Sequence, residues 1–280
     1  LSIIYYACII WVLFSNQFGT IIKRIFVSFI IVFTILFYQF KAYEASITFL
    51  DVGQGDTAFI QSNGCHAIID SYQYTFEYLK NRGIRKIDYL FLTHSHEDHV
   101  KEAITIYKNL DVKQIVLSTY DMNYPDFNQK SIYVKAGSKL KCGNIEFNIL
   151  GPIKPYENEN NQSLVIQFDF DHKTFLFTGD IEEEAEHDLI EMYQERLKSD
   201  VIKVPHHGSI TSSSKLFLEY VNPSYAIISL KTPNSYQFPH DEVIKRYQQK
   251  NIVIYQTDIH GSIIYHSKRR KEKWELYLSI

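Results

Sequence analysis

Cysteine is scarce. Three residues, Cys8, Cys65 and Cys142, stand in a chain of 280, and their spacing suggests neither a disulfide framework nor a thiolate zinc site. They read as small apolar residues, so any bound metal is expected on nitrogen and oxygen. Net charge is slight as well, −3 at neutral pH. A total of that size neither demands nor excludes a nucleic-acid partner, because local patches govern binding. No internal repeat is visible. The features of a secretory signal are missing too: there is no positive charge ahead of the first apolar run and no small-residue cleavage site behind it.

Long apolar runs are confined to the start of the chain, in "LSIIYYACIIWVLF" and "IFVSFIIVFTILFYQF". Each is somewhat shorter than the ~20 residues of a full bilayer span. The expectation is a transmembrane segment over residues 1–42, comprising one or two membrane-spanning helices. Because the chain opens on Leu1, this segment reads as the end of a longer membrane region. Lys23 and Arg24 between the runs favour a cytoplasmic connection and an outward path for residues 43–280, whereas Lys41 favours the reverse.

Residues 43–280 carry the pattern of a mixed α/β domain. "ASITFLDV", "DTAFIQS" and "HAIIDS" are short β-rich runs separated by "GQG" and "NG", the turn chemistry of consecutive antiparallel strands. Further strands are predicted in "IDYLFLT", "KQIVLS", "IEFNIL", "SLVIQFDF", "KTFLFTG", "DVIKV", "YAIISL" and "NIVIYQT". Helices are predicted near Tyr74 to Asn81, from Asp98 to Leu110, and in "EEEAEHDLIEMY", "SKLFLEYV" and "DEVIKRYQQK". Strands arriving before and between amphipathic helices imply sheets packed on each other with helices outside.

Chemistry concentrates in "FLTHSHEDHV". Three histidines and an aspartate fall within six positions, His94, His96, Asp98 and His99, directly after an apolar strand. Imidazole and carboxylate suit zinc, manganese or iron at neutral pH. Four such groups on one loop exceed what a single ion takes, which points to two neighbouring ions. The whole chain holds 11 histidines, too few for this density to be a chance feature of a solvated loop. Two other strands end in comparable groups: "FLFTGD" delivers Asp180, and "DVIKVPHHGS" delivers His206 and His207. Taken alone, Gly-Asp is an ordinary turn and a His-His pair an ordinary polar element. Together they imply convergence at one sheet edge.

The motif H-x-H-x-D-H after a strand, with a later Gly-Asp and a later histidine, resembles the metallo-β-lactamase superfamily. More narrowly, "FLDVGQGDTAFI", "NNQSLVIQF", "FLFTGDIEEEAEHDLI", "VIKVPHHGSITSSSKLFLEYVNPSYAIIS" and "YQTDIHGSI" resemble the C-terminal domain of the ComEC family of DNA-internalisation competence proteins. The resemblance implies an αββα metallo-β-lactamase-like sandwich over residues 43–280, with two divalent metal ions, zinc or manganese. It implies metal ligation by His94, His96, Asp98, His99, Asp180 and His206, with Asp180 bridging, and a catalytic part for Asp98, Asp180 and His207. His207 contacts phosphate or shares the ligand role of His206. Asp70, at the end of "HAIID", matches a carboxylate that orients the histidine loop; a plain strand-end turn is the alternative. Asn160 and Asn161 stand where many lactamase-like enzymes carry a further histidine. The family tends to read Tyr-Gly-His-Pro-His where this chain has "YQFPHDEV", which puts Phe238 at the first histidine and leaves His240.

The activity so implied is phosphodiester hydrolysis in a membrane DNA-uptake protein, degrading the strand that is not imported. DNA, the membrane and other uptake proteins would be its partners, with the domain on the outer face. Two alternatives stay open: hydrolysis of a small phosphodiester or thioester, and a non-catalytic domain that guides DNA. The basic run "SKRRKEKW", Ser267 to Trp274, would suit phosphate contact and base stacking, or is simply a solvated stretch.

Overall fold

The computed structural model describes residues 19–42, 45–268 and 271–277. The chain divides into two units, Leu1–Glu44 and Ala45–Ile280. In the first, helix α1 (Thr20–Ala42) carries Lys23, Arg24 and Lys41. Between those charges lie sixteen residues, Ile25 to Phe40, about 24 Å of helix against the ~30 Å of a hydrocarbon core. No helix among the described residues is long and apolar enough to cross a membrane. The expected second span is therefore not supported, and the first apolar run lies outside the described residues.

In the second unit the chain first lays down β1 (Ser46–Phe49), β2 (Ala58–Ser62), β3 (Cys65–Ile69), β4 (Lys86–Phe91), β5 (Asp111–Ser118) and β6 (Ser131–Val134). A second sheet comes next with β7 (Lys139–Cys142), β8 (Ile145–Gly151), β9 (Val165–Phe170), β10 (Lys173–Phe177), β11 (Val201–Lys203), β12 (Tyr225–Ile228) and β13 (Val253–Gln256). The chain then returns to the first sheet as β14 (Ser262–Lys268) and β15 (Lys271–Tyr277). The sheet orders are β15-β14-β1-β2-β3-β4-β5-β6 and β13-β12-β11-β10-β9-β8-β7.

Side-chain alternation, which turns successive residues to opposite faces of a strand, makes the layers. On β2, Ala58 and Ile60 point into the inter-sheet core with Ile47, Phe49, Phe147, Phe168, Phe175 and Phe177. Phe59 points the other way, joining Leu79, Ala103 and Ile106 from α2 (Thr75–Asn81) and α4 (Ala103–Asn109). On β11, Val201 faces the inter-sheet core. Ile202 meets Leu189, Leu218, Val243 and Tyr247 from α5 (Glu183–Tyr193), α6 (Lys215–Val221) and α7 (Asp241–Gln249). The result is the expected αββα sandwich.

Three local expectations need correction. The helix read from Asp98 to Leu110 is broken into α3 (Glu97–Val100) and α4, because the Glu102 N–H donates to the Ser71 carbonyl and its carboxylate accepts from Phe76 and Tyr74 N–H. The basic run forms part of the β14–β15 hairpin. Its Trp274 ring is packed among Tyr225, Tyr255 and Tyr265 at 5.1–5.3 Å and is not free for base stacking; Arg269 and Arg270 lie outside the described residues. Finally, Cys65 and Cys142, 77 residues apart, form a disulfide from β3 to β7 and so bind the two sheets covalently. Their distance in sequence hid the pairing.

Candidate metal centre

Parallel pairing sets the strand ends in register. β3, β4 and β5 run parallel in one sheet, and β10, β11, β12 and β13 in the other. The carboxyl ends of β3, β4, β10 and β11 carry Asp70, the histidine loop, Asp180 and the His-His turn respectively, so the groups singled out in sequence arrive at one rim.

Four of them form a close set. One donor atom each from Asp98, His99, Asp180 and His207 lies within 4.8 Å of the others. His99 Nε2 is 3.4 Å from Asp180 Oδ2 and 3.9 Å from Asp98 Oδ2. His207 Nε2 is 3.3 Å from Asp98 Oδ2 and 3.7 Å from Asp180 Oδ2. His94 and His96 adjoin this set. The His94 ring lies 4.1 Å from that of His99, and His94 Nε2 is 3.0 Å from His96 Nδ1, a spacing suited to two donors converging on one cation.

The imidazoles are held from behind. His99 Nδ1 is 2.8 Å from the buried Asp70 carboxylate, which also accepts from Thr93 N–H and Thr93 Oγ1. His207 Nδ1 donates to the Ser229 carbonyl at 2.7 Å, with Asp56 Oδ1 3.5 Å away. Each bond fixes a proton on Nδ1 and turns the Nε2 lone pair toward the carboxylates. Asp56 is itself paired with the buried ammonium of Lys203 at 2.8 Å.

Backbone geometry is specialised at the same points. His206 and His207 both have φ 50°, a left-handed conformation that non-glycine residues rarely adopt. A Cβ on Gly179 would stand 2.7 Å from Ser163 Cβ; glycine there lets Asp180 approach, its N–H donating to Ser163 Oγ. A Cβ on Gly55 would meet the Asp98 carbonyl at 2.6 Å, so the "GQG" turn lies directly against the histidine loop, where Asp56 N–H donates to that carbonyl.

The electrostatics favour a cation. Burial would raise the Asp180 carboxyl, but His99 and His207 outweigh it and hold it well below the usual range. Asp98 is lowered in the same way by His99 and His207 against its burial. Burial would lower His99, but Asp180, Asp70 and Asp98 raise it well above an ordinary imidazole. His94 is pushed far down, by burial first and then by its neighbour His99, which leaves it neutral and able to ligate. His99 Nε2, His207 Nε2 and Asp180 Oδ1 are buried without a hydrogen-bond partner. Without a cation, a proton shared with these carboxylates fills that place; a divalent cation would displace it and engage the same atoms.

His206 is placed elsewhere. Its Nδ1 is 3.4 Å from Glu182 Oε1, and its ring meets Phe238 edge-on at 5.4 Å. His207 occupies the place in the donor set that the resemblance gave to His206. Asn160 donates to Glu182 Oε1 and Asn161 accepts from Glu182 N–H, so both asparagines brace the segment after Asp180. His240 accepts from Ile210 N–H at the start of α7. Asp56 and Lys203 were given no role by sequence reasoning. The available signals were the second aspartate of "DVGQGD" and a lysine inside an otherwise apolar strand.

The profile of the metallo-beta-lactamase superfamily matches residues 50–232. ComE operon protein 3 of Bacillus subtilis (strain 168) is 29% identical over 88% of this chain and 36% of its own length. Recombination protein 2 of Haemophilus influenzae is 30% identical over 90% of this chain and 32% of its own length. The chain thus spans about a third of the length of these relatives. Among solved structures, the metallo-beta-lactamase fold protein YhfI from Bacillus subtilis aligns with a TM-score of 0.56 at 12% identity, over 80% of this chain and all of its own. Igni18, a metallo hydrolase of Ignicoccus hospitalis, does so with a TM-score of 0.56 at 16% identity, over the same shares.

Proposed function

Because the chain belongs to the metallo-beta-lactamase superfamily, we propose that it is a metal-dependent phosphodiesterase acting on DNA, the hydrolytic domain of a DNA-uptake protein that degrades the strand not imported. The observation that carries this reading is the pair of buried Nε2 atoms, of His99 and His207, each fixed by a partner on Nδ1 and each aimed at Asp98 and Asp180.

Asp98, His99, Asp180 and His207 would hold one cation, and His94 with His96 would complete a second position that shares Asp180. Divalent zinc or manganese bound there lowers the pKa of water and offsets the charge of a phosphodiester. Asp70 and the Ser229 carbonyl would keep the two Nε2 atoms directed inward. His206 stands at the rim, about a fifth exposed and backed by Glu182. There its Nε2 proton can neutralise charge on the phosphoryl oxygens, or pass to the departing ester oxygen as water adds at phosphorus and the P–O bond breaks.

The resemblance to the ComEC family, together with relatives named ComE operon protein 3 and Recombination protein 2, supports DNA as the substrate. The disulfide between Cys65 and Cys142 supports residence on the oxidising, outer side of a membrane. Incubating the purified chain, loaded with manganese or zinc, with end-labelled single- and double-stranded DNA beside a chromogenic phosphodiester tests the proposal. Cleavage of DNA is expected. Turnover of the small ester alone retires the nuclease reading, and turnover of neither retires the enzyme.

A further inference from the structure

A ladder of rings leads outward from the donor set. Phe238 stacks on the buried His207 ring at 6.4 Å and 26°, and Tyr236 stacks on Phe238 at 5.4 Å and 18°. Tyr236 is 63% exposed, so its outer face is open to solvent. Resting on the reading of this site as a nuclease, we propose that Tyr236 and Phe238 form a stacking platform for unpaired bases of a single-stranded nucleic acid entering the centre.

The platform is built rather than incidental. Asn234 Oδ1 accepts from the N–H groups of Tyr236 and Phe238 at 3.1 and 3.0 Å. Asn234 Nδ2 donates to the carbonyls of Lys231 and Phe238 at 3.0 and 2.8 Å. One side chain therefore fixes the whole turn that presents both rings. Pro233 and Pro239 flank it and restrict its backbone. The far end is tied to the histidine turn: His240 N–H donates to the Gly208 carbonyl at 3.0 Å, and Pro239 Cβ lies where a Gly208 side chain would begin. Position of the rings is thereby coupled to position of His207.

Chemistry selects the occupant. Every nucleobase has a π face, and stacking on an aromatic side chain adds affinity without sequence preference. In a duplex the base faces are already covered, so the platform favours a single strand or a frayed end. The exposed Lys231 begins the same turn, donates its N–H to Gln54 Oε1, and lies over Gly53. The "GQG" turn in its turn meets the Asp98 carbonyl through Gly55, and a strand on the platform would carry its phosphates past Lys231.

Fluorescence anisotropy of the full chain tests this with metal removed by a chelator, so that binding is read without cleavage. The probe is a fluorescein-labelled single-stranded oligodeoxynucleotide of mixed sequence, titrated over a range of salt. Tyr236→Ala is expected to weaken binding about tenfold or more, with no change in the slope of log affinity against log salt. Tyr236→Phe is expected to bind as the wild type, because the ring and not the hydroxyl stacks. Lys231→Ala is expected to reduce the slope by about 0.7. Wild-type affinity in Tyr236→Ala, or equal weakness in Tyr236→Phe, overturns the platform and leaves the nuclease reading standing. Tyr236-dependent binding by a chain that hydrolyses nothing keeps the platform and removes the enzyme.

Discussion

His207 Nε2 lies 3.3 Å from Asp98 Oδ2, across more than a hundred residues of chain. The contact joins the rims of the two sheets and gives the late histidine pair an unequal division of labour. Metal content should fall when His207 is replaced by alanine. His206→Ala should retain its metal and lose rate. Atomic emission analysis of both purified variants checks the assignment; the reverse pattern would return the ligand role to His206.

Asp180 Oδ2 stands between His99 and His207, 3.4 and 3.7 Å from their Nε2 atoms. Asp180→Asn should cut turnover by roughly a thousandfold or more with little change in thermal midpoint, because the residue tunes charge and does not fill a core. Initial rates on DNA, with melting curves alongside, read both quantities. Undiminished activity would remove Asp180 from the site.

Asp56 and Lys203 form a buried pair behind His207. Asp56→Asn strands an ammonium in the interior, and breaking a pair in this way costs about 3–5 kcal/mol. Urea denaturation should show that loss. Lys203→Met added to the same chain should recover much of it. Metal affinity should meanwhile fall by roughly 10- to 100-fold in Asp56→Asn, which a purely structural pair would not produce.

The buried Glu186 accepts from Ser213 and Ser214 N–H, yet burial pushes its carboxyl up to about 7 from 4.5. A folded value above the unfolded one means that the contribution is complete below pH 4.5 and is lost as pH rises through about 7. A gap of that size is worth roughly 3 kcal/mol. Denaturation of wild type and Glu186→Gln at pH 5 and pH 8 isolates it: the wild type should lose stability relative to the variant on going to pH 8. Parallel behaviour of the two would contradict this.

Much of the layering was legible, because alternation along β2 and β11 and the periods of α5 to α7 state which face is apolar. The histidine loop and Asp180 were visible for a related reason, since each comes directly after an apolar strand whose end must lie at a sheet rim. Adjacent residues were harder to separate. His206 and His207 are distinguished only by a left-handed turn that sends one ring inward and the other toward Glu182, and nothing in "PHHG" declares that turn. Asp56 and Lys203 pair across the sandwich, and Cys65 with Cys142 across 77 residues. Such contacts depend on sheet-on-sheet register, which strand patterns do not specify. In the same way, three aromatic residues in the β12–β14 region cover Trp274, which read from sequence as an available ring.

Cation binding by the buried donors is the property on which the chemistry depends. Metal-free chain titrated with Mn²⁺, with free ion followed by electron paramagnetic resonance, should take up about two cations per chain, and the double variant Asp98→Ala/His207→Ala should lose at least one of them while staying folded by circular dichroism. A folded wild-type chain that takes up no Mn²⁺ and, in a parallel titration, no Zn²⁺ would contradict a metal centre at this rim.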